Sequence, residues 1–164
     1  SVSNVKELDW WDSITVKNVN FFYVPAQHFS SRGLFDRMDT LWGGFVIIKK
    51  DKKIFFAGDT GYGSHFRKIN EKYGEMDLSF IPIGAYKPRW VMKPVHLDPE
   101  EAVVAHIETQ SKLSVGIHFG TFYGLTDEKI DDPEKDLSKA LNDYRIKKES
   151  FVVPKFGEVV NLYD

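Results

Sequence analysis

Two histidines and one aspartate stand where chemistry is expected. Pro25-Ala26-Gln27-His28 and Gly116-Ile117-His118-Phe119-Gly120 each place a histidine at the end of an apolar stretch. Phe55-Phe56-Ala57-Gly58-Asp59-Thr60-Gly61 delivers one carboxylate into a glycine-rich turn. Imidazole and carboxylate are the side chains that hold zinc where no thiolate is present. One aspartate and two histidines are too few for a complete two-metal hydrolytic site, so they read as its minority share. Spacing alone leaves a bland reading for each. His28 would be a solvated loop residue, Asp59 a turn former bonding nearby backbone N–H groups, and His118 a satisfied core histidine.

The other candidates divide by setting. His96 stands just before Asp98-Pro99-Glu100-Glu101, where Asp98 and Glu101 read as a helix cap and its reciprocal partner. His106 shares a helical face with Ala102, Val103 and Ile107 and reads as a packed structural residue. His65 follows Ser64 at a helix start and reads as solvated. Tyr86, Arg89 and Trp90 are candidate substrate contacts, because arginine pairs well with phosphate oxygens. Their alternative is a surface loop with Trp90 packed on the core.

These residues need strands and helices to position them. Asn20 to Pro25 reads as a strand from its aromatic and β-branched content. Leu41 to Lys49 and Lys53 to Ala57 flank the charged turn Lys50-Asp51-Lys52, which suits an antiparallel hairpin. Phe66, Ile69 and Tyr73 recur at helical spacing before Gly74, predicting a helix over 64–73. Strands follow at Leu78 to Ile83 and Leu113 to His118, with helices expected over 98–111 and 134–144. Phe151 to Val153 and Glu158 to Leu162 read as closing strands. Alternating strands and helices argue an α/β layered fold, and its crevice beyond the strand ends is where Asp59 and His118 would lie.

Composition narrows the classes. The 164 residues suffice for one domain with a core. Hydrophobic content of 42% and charged content of 28% are those of a globular protein. A net charge of −2 supplies no basic field for nucleic acid. The absence of cysteine excludes disulfides and thiolate sites and leaves the compartment open. No apolar run approaches the roughly 18 residues that span a bilayer. The first residue, Ser1, is no initiator Met and begins no signal peptide, which reads as a processed or shortened start.

Eight segments occur in one register: Leu8-Asp9-Trp10-Trp11, Pro25-Ala26-Gln27-His28, Leu41-Trp42-Gly43, Phe55 to Tyr62, Ile81-Pro82-Ile83-Gly84-Ala85-Tyr86, Pro88-Arg89-Trp90, His96 to Ala102, and Ile117 to Phe122. Together they resemble the C-terminal half of the metallo-β-lactamase superfamily, in its N-acylphosphatidylethanolamine-hydrolysing phospholipase D branch. The resemblance implies half of an αββα sandwich, a mixed sheet with helices on one face, forming a single half domain over 1–164. It implies that His28 ligates one zinc, His118 the other, and Asp59 bridges both. His96 would lie at the mouth of the active site, as a substrate contact or catalytic group, and Tyr86, Arg89 and Trp90 would touch substrate. The family's remaining ligands come from a His-x-His-x-Asp-His motif that no pair of histidines here reproduces, so the N-terminal half that carries it would precede Ser1.

Three functions follow as expectations. The first is a zinc phosphodiesterase of phospholipase D type, in which an activated hydroxide attacks phosphorus, with weak metal binding and negligible turnover in the isolated chain. The second is a non-catalytic half domain that associates with its missing half or with itself; peripheral membrane contact is expected as a partner surface of the lipid-directed reading. The third is a related hydrolase acting on a small phosphodiester or ester.

Overall fold

A computed structural model describes residues 3–155 and 157–161. Strand β1 (Ser13–Val16) and β2 (Val19–Pro25) form a hairpin, followed by β3 (Gly43–Lys49) and β4 (Lys52–Phe56). Helix α1 (His65–Tyr73) leads to β5 (Met76–Pro82). The short helix α2 (Arg89–Met92) and then α3 (Pro99–Glu108) precede β6 (Ser111–Ile117). Helix α4 (Asp132–Asp143) and a 3-10 turn at Lys148–Ser150 lead to β7 (Phe151–Val152). The strands form one seven-stranded mixed sheet in chain order. Strands β1 to β4 pair antiparallel and β4 to β7 pair parallel.

Local chemistry explains most of these elements. Lys49 pairs with Lys52 across the expected charged turn, and Lys50 takes the φ of 55° that so tight a connection needs. Helix α3 opens on a complete capping box: Asp98 Oδ1 accepts from the Glu101 N–H at 2.8 Å, and Glu101 Oε2 accepts from the Asp98 N–H at 3.3 Å. Along β3 and β4 alternate residues face opposite ways. Val46 and Phe55 join Phe66, Ile69, Ala102 and Leu137 in the core beneath the helices. Phe45, Ile47, Ile54 and Phe56 turn the other way and, with Phe21 and Phe80, line an apolar groove free of helix residues. The helices therefore cover one face of the sheet.

The elements differ from the expected ones at three places. Strand β1 and helix α2 carry no sequence signal read above. Glu158 to Leu162 is not a closing strand: residues 158–161 have no strand partner, Val159 is 80% exposed, and Leu162 lies outside the described residues. A short apolar run needs a neighbouring strand for its backbone groups, and β7 pairs only with β6. Among the described residues, no helix is long and apolar enough to cross a membrane.

Candidate metal centre

Strand direction brings the candidate residues together. Two antiparallel pairings turn β4 the same way as β2, and β5 and β6 run parallel to β4. The C-terminal ends of β2, β4 and β6 therefore share one edge of the sheet. His28, Asp59 and His118 each stand within three residues of those ends. His118 has a φ of 60°, a left-handed conformation that non-glycine residues seldom adopt. Gly84 makes room for it, since a Cβ there would lie 2.3 Å from the His118 carbonyl oxygen.

The three side chains converge, and a fourth joins them. Asp59 Oδ2 lies 3.4 Å from His28 Nε2 and 3.4 Å from His118 Nε2. His96, from the segment between α2 and α3, brings its Nδ1 to 2.9 Å from Asp59 Oδ1. That contact is not aligned as a hydrogen bond, so both atoms are buried without a hydrogen-bond partner. His28, Asp59 and His96 each offer one donor atom, all within 4.8 Å of one another.

The rings are held, not merely adjacent. The His28 ring is stacked between Phe29 and Trp42, with centroids 4.6 Å away in both cases. Its Nδ1 lies 2.9 Å from the Phe29 carbonyl, and donating a proton there leaves the Nε2 lone pair facing Asp59. Trp42 also donates its Nε1–H to the Asp59 carbonyl at 2.7 Å, so one indole orients two of the candidate residues.

Electrostatics follow from this geometry. Burial works to raise the Asp59 carboxyl, but the His118 and His96 imidazoles outweigh it and hold it well below the usual carboxylate range. The Asp59 carboxylate in turn raises His118 above the ordinary imidazole value, against the opposing effect of burial. A lone pair on His28 Nε2 facing a carboxylate at 3.4 Å is unfavourable unless a proton or cation lies between them. The donor set of imidazole nitrogens and a carboxylate suits a divalent cation such as zinc, and the unpartnered Asp59 Oδ1 and His96 Nδ1 fit the same group.

Residues 1–119 match the family described as "Beta-lactamase superfamily domain". The chain belongs to that superfamily. It is 43% identical over 169 residues to N-acyl-phosphatidylethanolamine-hydrolyzing phospholipase D 1 of Caenorhabditis elegans, covering 99% of this chain and 47% of that relative. It is 37% identical over 141 residues to the mitochondrial N-acyl-phosphatidylethanolamine-hydrolyzing phospholipase D of Saccharomyces cerevisiae, covering 82% of this chain and 30% of that one. The chain thus spans half or less of the length of these relatives. A metallo hydrolase from the archaeon Ignicoccus hospitalis superposes with a TM-score of 0.68 at 22% identity, over 93% of this chain and 58% of that structure. The metallo-beta-lactamase fold protein YhfI of Bacillus subtilis gives 0.64 at 14% identity, over 94% and 54%. The expected α/β fold, a mixed sheet of the metallo-β-lactamase kind, is the fold observed.

In this superfamily chain the remaining sequence candidates are spread out. Tyr86 is buried and its hydroxyl donates to Asp136 Oδ2 at 2.6 Å; burial and Asp136 raise its pKa. Arg89 is clamped by Asp98 at 3.2 Å and Glu101 at 2.7 Å, and it donates to the His96 carbonyl at 3.0 Å. Its guanidinium thus holds the backbone of a site residue. Trp90 is 84% exposed. His106 is packed as expected, 2.8 Å from the Ser114 hydroxyl. His65 corrects the reading above: it is buried, with Nε2 3.3 Å from the Thr60 hydroxyl. The α1 register turns His65 inward beside Phe66, which its place next to a helix cap did not reveal. A cavity of about 200 Å³ next to His118, lined by Phe119, Phe122, Leu125, Ile130 and Pro133, also went unread. Most of its residues lie in irregular chain between β6 and α4, where no periodic signal exists.

Proposed function

We propose that this chain is part of a metal-dependent hydrolase, a zinc phosphodiesterase of phospholipase D type acting on N-acylphosphatidylethanolamine-like lipids. The observation that carries the reading is the convergence of His28, His96 and His118 on one largely buried carboxylate, Asp59, with donor atoms left unpartnered. The identity to two relatives bearing that name supports the substrate class. His28 and His118 are assigned as ligands of separate zinc ions and Asp59 as the residue shared between them. His96 is assigned a catalytic or substrate-contacting role beside Asp59 Oδ1. Zinc bound at such a site supplies Lewis-acid stabilisation of phosphoryl charge and lowers the pKa of water toward about 7.

The chain's own residues do the rest. Trp42 and Phe29 fix the His28 ring, and Arg89 fixes the His96 backbone. Trp90 is exposed and free to meet substrate, and Tyr86 and Arg89 are assigned to the same substrate side. The cavity beside His118, lined by apolar residues together with Thr121, Thr126, Glu128 and Lys129, is suited to an acyl or glycerol portion. Three ligands are fewer than two zinc ions require, so this reading calls for further ligands that His28, Asp59 and His118 do not supply. The apolar groove of Phe21, Phe45, Ile47, Ile54, Phe56 and Phe80 favours a second reading, in which this half associates with an N-terminal half or with its own copy. Peripheral contact with the lipid surface would bring the substrate to the site.

Elemental analysis and hydrolysis assays test the reading. N-acylphosphatidylethanolamine, a small phosphodiester and a carboxylic ester would be compared, using this chain alone and with its natural flanking sequence. The expected result is weak zinc and negligible turnover alone, and two zincs with preference for the lipid in the longer protein. A longer protein that is inert and metal-free would overturn the enzyme reading. Preference for the small diester or the ester would replace the lipid. Sedimentation of this chain as a stable monomer would count against the association reading.

A further inference from the structure

We infer that Thr60 is a positioning residue: its buried hydroxyl ties the Asp59 turn to the loop that carries His28, and its backbone carbonyl ties the same turn to the segment that carries His96. The inference rests on the metal reading above and concerns how that site is held. Thr60 directly follows Asp59 and is 0% exposed. Its hydroxyl oxygen accepts the Gln27 backbone N–H at 2.8 Å, and the hydroxyl donates to the Gly61 carbonyl at 2.8 Å. Its own carbonyl accepts the Leu97 N–H at 2.9 Å. One threonine beside the carboxylate therefore bonds the immediate chain neighbours of two imidazole residues.

Further links converge on the same knot. The Gln27 carbonyl accepts the Gly61 N–H at 2.8 Å, and Gln27 Nε2 donates to the Pro94 carbonyl at 2.8 Å, two residues before His96. Gly61 fits only because it lacks a side chain: a Cβ would stand 2.7 Å from the Pro94 oxygen and 3.0 Å from Gln27 Nε2. On the inner side His65 Nε2 reaches the Thr60 hydroxyl at 3.3 Å. Burial, with Lys68 nearby, pushes the His65 imidazole down to about 4, so it stays neutral. A neutral Nε2–H donor fits a hydroxyl that already spends its own proton on Gly61. Partners that orient metal ligands typically alter metal affinity by about 10–100-fold when removed. Thr60 acts one step further out, through the backbone of each loop.

The test uses the protein with its natural flanking sequence, loaded with zinc or with cobalt(II) as a spectroscopic probe. Thr60→Val keeps the shape but removes the hydroxyl, leaving the Gln27 N–H unpaired. It is expected to weaken zinc binding by about 10-fold or more in chelator competition and to shift the visible cobalt spectrum. Thr60→Ser keeps the hydroxyl and should restore both. Ser114→Ala, which removes the partner of His106, should lower the melting temperature and leave affinity and spectrum unchanged. Gln27→Ala trims an exposed side chain and should weaken binding several-fold without changing the melting of the metal-free protein. A Thr60→Val protein that melts earlier yet keeps wild-type affinity and spectrum overturns the inference. If Thr60→Val fails to fold, unchanged affinity in Gln27→Ala overturns it instead. An unsubstituted protein that takes up neither metal removes the metal reading itself, and this inference with it.

Discussion

The five histidines of this chain fall into two sets with opposite surroundings. His65 and His106 sit on helices α1 and α3 and turn into the core, where each meets a single hydroxyl, Thr60 or Ser114. Burial is the main influence on both, and it lowers both pKa values. His28, His96 and His118 come from irregular chain beyond strand or helix ends, and each lies within 3.4 Å of an Asp59 oxygen. For His118 the Asp59 carboxylate outweighs burial and raises it. The same side chain is therefore kept neutral in one region and offered to a cation or proton in the other. What separates the sets is whether backbone direction delivers the ring to a carboxylate or to packed apolar groups.

Asp59→Asn should break the comparison most completely. Removing the one charge that three imidazoles share is expected to lower zinc affinity in the metal-loaded protein by more than about 100-fold and to abolish hydrolysis. Equilibrium dialysis and turnover assays would measure both. Retained affinity would mean that the histidines alone define the site.

Acid titration sharpens the contrast from the core side. His65 falls from 6.5 to about 4 on folding, so between those values the unfolded chain binds a proton that the folded chain refuses. Stability is then complete above about pH 6.5 and declines as pH falls toward 4, by roughly 3 kcal/mol from this residue. His106, also lowered by burial, acts in the same direction. Urea unfolding across pH 7 to 4 would show the decline, and His65→Phe should flatten it. A stability independent of pH over that range would place His65 in solvent.

Smaller effects separate positioning from exposure. Arg89→Lys loses the fork that spans Asp98, Glu101 and the His96 carbonyl. It should cost about 1–2 kcal/mol of stability and several-fold in zinc affinity, read by thermal unfolding and metal competition. Trp90→Ala removes a side chain that is 84% exposed. Its stability should stay within about 0.5 kcal/mol of wild type, while KM for a lipid substrate rises and zinc affinity does not move. A fall in zinc affinity would place Trp90 among the groups that hold the site.

The amino-acid sequence by itself determined the elements with local causes. Helix α3 follows from Asp98, Pro99 and Glu101, the β3–β4 hairpin from its charged turn, and α1 from Phe66, Ile69 and Gly74. The placing of His28, Asp59 and His118 beyond apolar strands was legible too, because strand ends carry their chemistry one to three residues into the loop. Only the tertiary structure decided which groups those residues meet. The hydroxyl of Tyr86 goes to Asp136, fifty positions along the chain, and Arg89 bonds Asp98, Glu101 and the His96 carbonyl. His96 faces Asp59, and His65 meets Thr60 in the interior. Spacing encodes the face a side chain occupies within its own element, whereas a hydrogen-bond partner depends on how distant elements pack, and burial then sets the charge each group can carry.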